Sequence, residues 1–274
     1  MLSLRNDGDV SILEGRVNIF GVSMKVFLYL IDGLLIDTGP KTLQKETIPL
    51  LIQSPIHQVA ITHIHEDHIG SAGWIEKNLR VPIYVHPEAV SKTLQFFKLP
   101  LYRKLFWGTP EPFHGFPLDP VVVTERYQFQ VIDTPGHADD HIVLYEPNHG
   151  WLFTGDLFLG IKKKMGIAWE SMPLLMDSLR RVLSLDFNTL FCAHTGKVSD
   201  GKAGIQKKLD ELEKLEQMVL EFYQQGWTVK EITRYLFPKR DPIELFSLGE
   251  MSPIHIVNSF IQNKEKKSRD KRNE

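Results

Sequence analysis

The chain has 274 residues, 42% of them hydrophobic and 24% charged, with a net charge of −2. That length suffices for one large domain or two small ones with a sizeable core. The composition excludes a disordered chain, and the charge excludes a general preference for nucleic acid or membrane. A single cysteine, Cys192, excludes an intramolecular disulfide framework and fits a reducing compartment. The N-terminus, MLSLRNDGDV, holds no apolar signal-peptide core. The apolar stretch Ile19 to Ile36 is interrupted by Lys25, Asp32 and Gly33, too often for a membrane span. These features predict a soluble, cytoplasmic protein.

Residues 10 to 36 predict strands at Val10 to Phe20, Lys25 to Ile31 and Leu34 to Ile36, with Asp32-Gly33 as a hairpin turn. Asp37-Thr38-Gly39 follows, and Pro40 suits the first position of a helix to about Ile52. Asp37 either caps that helix or supports a metal-ligating histidine. Gln58 to Thr62 predicts a buried strand that runs into His63-Ile64-His65-Glu66-Asp67-His68, and Ile69 to Arg80 predicts a helix entered through Gly70 and Gly73. A strand end leading into a helix is where open α/β folds place their chemistry. Imidazole and carboxylate together suit zinc and similar divalent ions. The i, i+2 spacing of His63 and His65 lets them point to one side, while Asp67 and His68, past the bend, reach a second position nearby.

Pro82 to Val85 predicts a strand, and His86-Pro87-Glu88 opens a helix to about Phe97, with His86 structural or on the surface. Residues 98 to 120, with Tyr102, Phe106, Trp107, Phe113 and Phe116, are too apolar for a plain linker. A lid or pocket wall and simple packing on the core are both open. Residues 121 to 133 predict a strand, after which the turn Thr134-Pro135-Gly136 presents His137. Ile142 to Tyr145 and Trp151 to Phe153 predict a hairpin with His149 solvated in its turn, ending in Thr154-Gly155-Asp156. Leu174 to Leu185 predicts a helix, and Thr189 to Ala193 a strand ending in His194. Four strand ends thus deliver ligand-type residues: the 63–68 cluster, His137, Asp156 and His194.

The C-terminal third changes character. Lys202 to Gln225 predicts a helix with the apolar stripe Leu209, Leu212, Leu215, Val219 and Phe222. Thr228-Val229-Lys230-Glu231 is a capping box for a short helix to Phe237, and Ser252-Pro253 opens a last one. These helices either cover the sheet or form a homodimer face. Residues 264 to 274 predict a frayed, charged tail.

The pattern resembles the metallo-β-lactamase fold superfamily over about residues 10 to 200: His63-x-His65-x-Asp67-His68, His137 in TPGH, Asp156 in TGD, His194 in AHTG and an early LIDTG. The resemblance implies an α/β fold, a four-layer αβ/βα sandwich with extra C-terminal helices. It implies a catalytic core at 1–200, a helical extension packed on it at 201–263 and a tail at 264–274. It further implies that His63, His65 and His137 hold one ion, that Asp67, His68 and His194 hold a second, and that Asp156 bridges them. The cofactor would be two divalent metal ions, zinc foremost, with iron or manganese as alternatives. His141 falls where Ser or His is frequent, which implies a supporting or packing role. Two departures are Ala193-His194-Thr195 in place of Gly-His-Gly and Ala138 in place of a Ser or Thr; neither removes a ligand.

Two such ions, about 3.5–4 Å apart, share a bridging water and lower its pKa towards about 7. The resulting hydroxide, oriented in part by Asp67, attacks an electrophilic centre whose developing oxyanion the metals stabilise. The leading expectation is a dinuclear metal-dependent hydrolase acting on an ester, thioester, lactone or amide of a small molecule. A phosphodiesterase or ribonuclease is the alternative, opposed by the lack of a broad basic surface. A mononuclear-iron persulfide dioxygenase is opposed by the full set of seven ligands. Lys162, Lys163 and Lys164 follow Asp156 closely; similar thioesterases imply substrate-binding through such a lysine, and a solvated turn is the plain alternative.

Overall fold

A computed structural model describes residues 2–19 and 21–273. In chain order the elements are β1 (Ser3–Asp7), β2 (Val10–Ile19), β3 (Val22–Ile31), β4 (Leu34–Ile36), a 3-10 turn (Lys41–Leu43), α1 (Gln44–Gln53), β5 (Gln58–Ala60), α2 (Glu66–Ile69), α3 (Ala72–Asn78), β6 (Ile83–Val85), a second 3-10 turn (Pro87–Ala89), α4 (Val90–Thr93), α5 (Leu101–Trp107), β7 (Gly115–Pro117), β8 (Val121–Val123), β9 (Gln128–Asp133), β10 (Ile142–Glu146), β11 (Trp151–Phe153), β12 (Gly166–Ile167), α6 (Met172–Leu183), β13 (Thr189–Cys192), β14 (Gly196–Val198), α7 (Gly201–Gln224), α8 (Val229–Leu236), α9 (Pro242–Phe246), β15 (Met251–Ser252) and α10 (Pro253–Asn273). The chain groups into two compact units that interleave along the sequence. The first comprises Met1–Asp133, Asp140–Leu159 and Asp186–Gly201; the second comprises Thr134–Asp139, Gly160–Leu185 and Lys202–Glu274.

The first unit holds two sheets. Seven strands lie in the order β1 to β7, antiparallel as far as β4 and parallel from β4 to β7. The hairpin joining β3 to β4 turns on Asp32 (φ 48°) and Gly33 (φ 83°), the paired left-handed conformation that an Asp-Gly turn requires. The other sheet has the order β14-β13-β11-β10-β9-β8, with β11 and β13 parallel. One buried cluster joins them: Ile12, Tyr29, Ile36 and Ala60 of the first sheet with Phe129, Leu144, Phe153 and Phe191 of the second. On β3 the contributors are Phe27, Tyr29 and Ile31, alternate residues on one face. Phe153 stacks on Phe191 with ring centroids 4.7 Å apart, and Tyr29 meets both edge-on. At one edge two backbone hydrogen bonds tie the sheets directly: Phe27 N–H to Ala193 O (2.7 Å) and Ile142 N–H to Thr62 O (2.9 Å).

The helix expected over 69–80 is two helices. Helix α2 begins earlier, at Glu66, so Asp67 and His68 are helical residues. Gly70 and Ser71 lie between it and α3, and residue 70 must be glycine because a Cβ there would lie 2.1 Å from the backbone nitrogen of Lys41. Residues 98–120 supply α5 and strand β7. Strands β1, β14, β12 and β15 and helix α9 carry little of the periodicity that reveals an element.

In the second unit α10 packs with α6, α8 and β12. Thr228 and Glu231 form the expected capping box. Helix α10 continues to Asn273, where the charge run predicts fraying; consecutive charged residues remain compatible with a solvated helix. Phe20, the expected end of a strand, and Glu274, the last tail residue, lie outside the described residues. Among the described residues no helix is long and apolar enough to cross a membrane.

Because Phe153 is fully buried and stacked at the centre of the shared cluster, Phe153→Ala should cost about 3–5 kcal/mol in denaturant unfolding. Tyr29→Phe, which removes the 2.7 Å hydrogen bond to Cys192 O and leaves that carbonyl buried, should cost about 1–3 kcal/mol.

Candidate metal centre

Asp37 directly follows strand β4 and caps no helix: the following 3-10 turn has no side-chain cap. Asp37 is instead buried with a left-handed backbone (φ 60°). Its Oδ1 accepts from Thr62 N–H (2.8 Å), and Oδ2 accepts from Thr62 Oγ1 (2.9 Å) and from His68 Nδ1 (2.8 Å). With Nδ1 donating, the other ring nitrogen of His68 is the one available to a ligand. That Nε2 is buried, makes no hydrogen bond and faces Asp156 Oδ1 at 3.4 Å.

Asp67, His68, Asp156 and His194 each offer a ligand atom, and these atoms lie within 4.8 Å of one another. His194 Nε2 is 3.1 Å from Asp67 Oδ2 and 3.3 Å from Asp156 Oδ1, while its Nδ1 donates to Lys25 O (2.6 Å). Asp156 is held from behind, its N–H donating to Nε2 of the buried His141 (3.1 Å). Gly155 (φ 44°) lets this turn approach, since a Cβ there would lie 2.8 Å from Thr62 Oγ1 and 2.9 Å from His141 Nε2.

The electrostatics match a cation site. Burial favours the neutral forms, yet the acids around His68 and His194 overcome it and hold both rings well above the usual imidazole range. Burial likewise opposes ionisation of Asp67 and Asp156, and the two rings overcome it, holding both carboxyls well below the usual range. Two carboxylates are therefore balanced by ring protons, the charge that a bound divalent ion displaces. Two carboxylates, two imidazoles and a buried Nε2 turned into the group fit such an ion.

His63 and His65 lie beside this group on the same loop, with His63 Nε2 2.9 Å from His65 Nδ1 and the His63 and His68 ring centroids 4.1 Å apart. Ile64 N–H, between them, donates to Asp140 Oδ2 (2.9 Å). Trp107 of α5 sets its ring 6.1 Å from that of His194, so the 98–120 segment contributes to the wall of the site. Three further histidines have partners elsewhere: His86 faces Asp133, His149 stacks on Trp151, and His255 bonds to Gly249 O.

In the second unit His137 Nδ1 donates to Glu170 Oε1 (2.7 Å). Lys163 Nζ reaches the same oxygen (2.5 Å), and Ile167 N–H donates to Oε2 (3.0 Å). Burial raises Glu170, but Lys163 and His137 outweigh it and hold the carboxyl down to about 2. The three lysines are therefore not alike. Lys162 and Lys164 are exposed, whereas the side chain of Lys163 is 8% exposed and paired with Glu170. Glu170 was not legible as a functional residue: a lone acid ahead of a helix carries no ligand spacing.

The family model described as "Metallo-beta-lactamase superfamily" matches residues 26–194. A Bacillus subtilis (strain 168) protein named "Probable metallo-hydrolase YqjP" is 27% identical over 267 residues, covering 81% of this chain and 83% of the relative. A hydroxyacylglutathione hydrolase of Bdellovibrio bacteriovorus is 28% identical over 138 residues, but the match covers only 50% of this chain and 48% of that enzyme. Among solved structures, a metallo-beta-lactamase family protein from Thermus thermophilus superposes with a TM-score of 0.70 at 18% identity, covering 95% of this chain and 94% of the other. That likeness shows the fold, the α/β sandwich that the sequence motifs imply. With its donor residues at the ends of the strands that the family model spans, the chain belongs to the metallo-beta-lactamase superfamily.

Proposed function

We propose that this metal-dependent hydrolase of the metallo-beta-lactamase superfamily uses two divalent ions, zinc foremost, to cleave an ester, thioester, lactone or amide of a small cytoplasmic substrate. The observation that carries the reading is the cluster of Asp67, His68, Asp156 and His194, with His68 Nε2 turned into it and making no hydrogen bond. In this reading His63, His65 and His137 hold one ion, Asp67, His68 and His194 hold the other, and Asp156 serves both. When bound, such ions acidify water and polarise a carbonyl. The relatives named hydroxyacylglutathione hydrolase favour a thioester among the four bond types.

The protein's own groups prepare the site. Asp37 keeps the His68 proton on Nδ1, the Lys25 carbonyl does the same for His194, and Glu170 does so for His137, leaving each Nε2 as the ligand atom. His141 supports Asp156 by accepting its backbone N–H. Asp67 orients the attacking water. Lys162 and Lys164 offer exposed charge to an anionic part of the substrate away from the scissile bond.

Elemental analysis of the purified chain should give close to two zinc, iron or manganese ions per chain; a reproducible single iron, unaffected by added metal, would overturn the reading in favour of dioxygenase chemistry. Asp156→Ala should lower kcat/KM by at least about 10³-fold, and His141→Ala by roughly 10–100-fold. Retained metal and activity in the Asp156 variant, with loss of both in the His141 variant, would show that the ligand assignment is wrong. Replacing Lys162 and Lys164 by Ala should raise KM for carboxylate- or phosphate-bearing thioesters more than for neutral ones, with a penalty that shrinks at high salt. Equal kinetics on both substrate types would leave these lysines as surface residues.

A further inference from the structure

Glu66 stands between His65 and Asp67, and its side chain is buried. It is absent from the group of donor residues. Its two oxygens accept from Nε and Nη2 of Arg103, at 2.5 and 2.6 Å, in a bidentate fork. Arg103 lies 37 residues further on, in α5, with a side chain only 13% exposed.

Glu66 is the first residue of α2, a helix of four residues that also carries Asp67 and His68. So short a helix has no orientation of its own. External contacts hold it: Thr38 N–H and Oγ1 donate to His68 O (2.7 and 2.9 Å), Asp37 accepts from the His68 ring, and Arg103 grips Glu66. Helix α5 is itself anchored. Thr42 Oγ1 donates to Phe106 O (2.7 Å), and just beyond the helix Glu111 takes Lys41 and Lys77, each at 2.8 Å. One turn after Arg103, the same helix sets Trp107 against His194. A buried ion pair adds little stability relative to apolar residues of the same size, so stability gives no reason for an acid and an arginine here. The fork does fix the direction in which the turn presents its next two side chains.

We propose that Arg103 and Glu66 are positioning residues. The guanidinium of α5 holds Glu66 and so aims Asp67 and His68 at the ion they share with Asp156 and His194. This rests on the metal-site reading above. Pre-ordered ligands lose less freedom when the ion binds, so the pair raises affinity without touching the metal.

The test titrates the full-length chain with zinc or cobalt against a competing chelator and records the cobalt absorption spectrum and the thermal unfolding of the metal-free protein. Arg103→Lys keeps the charge and loses the fork; it should weaken one of the two ions by about 10–100-fold. The double variant Arg103→Met with Glu66→Gln leaves no buried charge unpaired. Its metal-free unfolding temperature should stay near wild type while metal affinity remains weakened and the cobalt spectrum altered. Wild-type affinity and spectrum in either variant would overturn the proposal and leave the pair as a structural tie. Failure of the wild-type chain to bind any divalent ion would instead overturn the metal-site reading, a result distinct from equal binding by wild type and variants.

Discussion

The arrangement of the site depends on one buried carboxylate. Asp37 directly follows strand β4 and takes hydrogen bonds from the end of β5, through Thr62, and from His68 on α2. Burying an acid without donors is costly; here three donors satisfy it, and meeting them fixes where β5 ends and how His68 is turned. A left-handed backbone at a residue with a side chain is strained by about 1–3 kcal/mol, and it persists where the surroundings over-determine it. At Asp37 the hydrogen bonds of both carboxylate oxygens and the backbone bond to Ala60 O do so.

The two sheets of the first unit then converge because they share a core. Tyr29, Phe153 and Phe191 interlock, and the ends of β5, β11 and β13 meet where the sheets are tied by backbone hydrogen bonds. Close approach is possible because Gly155 and Gly70 stand where a side chain would strike backbone or ring atoms. Like-charged acids, Asp67 and Asp156, are thereby held together in a dry place, with imidazolium protons balancing them. A chain that folds around such a cluster spends stability on a place for a cation.

Much of this is legible in the sequence alone. The strands preceding His63, Asp156 and His194, and the hairpin at Asp32-Gly33, stand where the alternation of residues and the turn chemistry put them. Element edges are less so. Helix α2 begins at Glu66 because contacts from Thr38 and Arg103 stabilise a turn too short to be favoured by its own sequence. Strand β14 is three residues long and is defined by its neighbour β13 rather than by any pattern of its own.

The sequence by itself determined which residue types stand at which strand ends, and with them the family and the chemistry of the donor set. Those are local properties: ligand spacing within six residues, and strands that end in acids or imidazoles. Tertiary structure alone decided which partner each supporting group takes. Asp37 serves His68 rather than a helix end, Lys163 turns to Glu170 rather than to solvent, and Arg103 reaches Glu66. The physical reason is that a buried charge takes the complementary group that packing brings within about 3 Å, however far away along the chain, and sequence spacing carries no record of that choice.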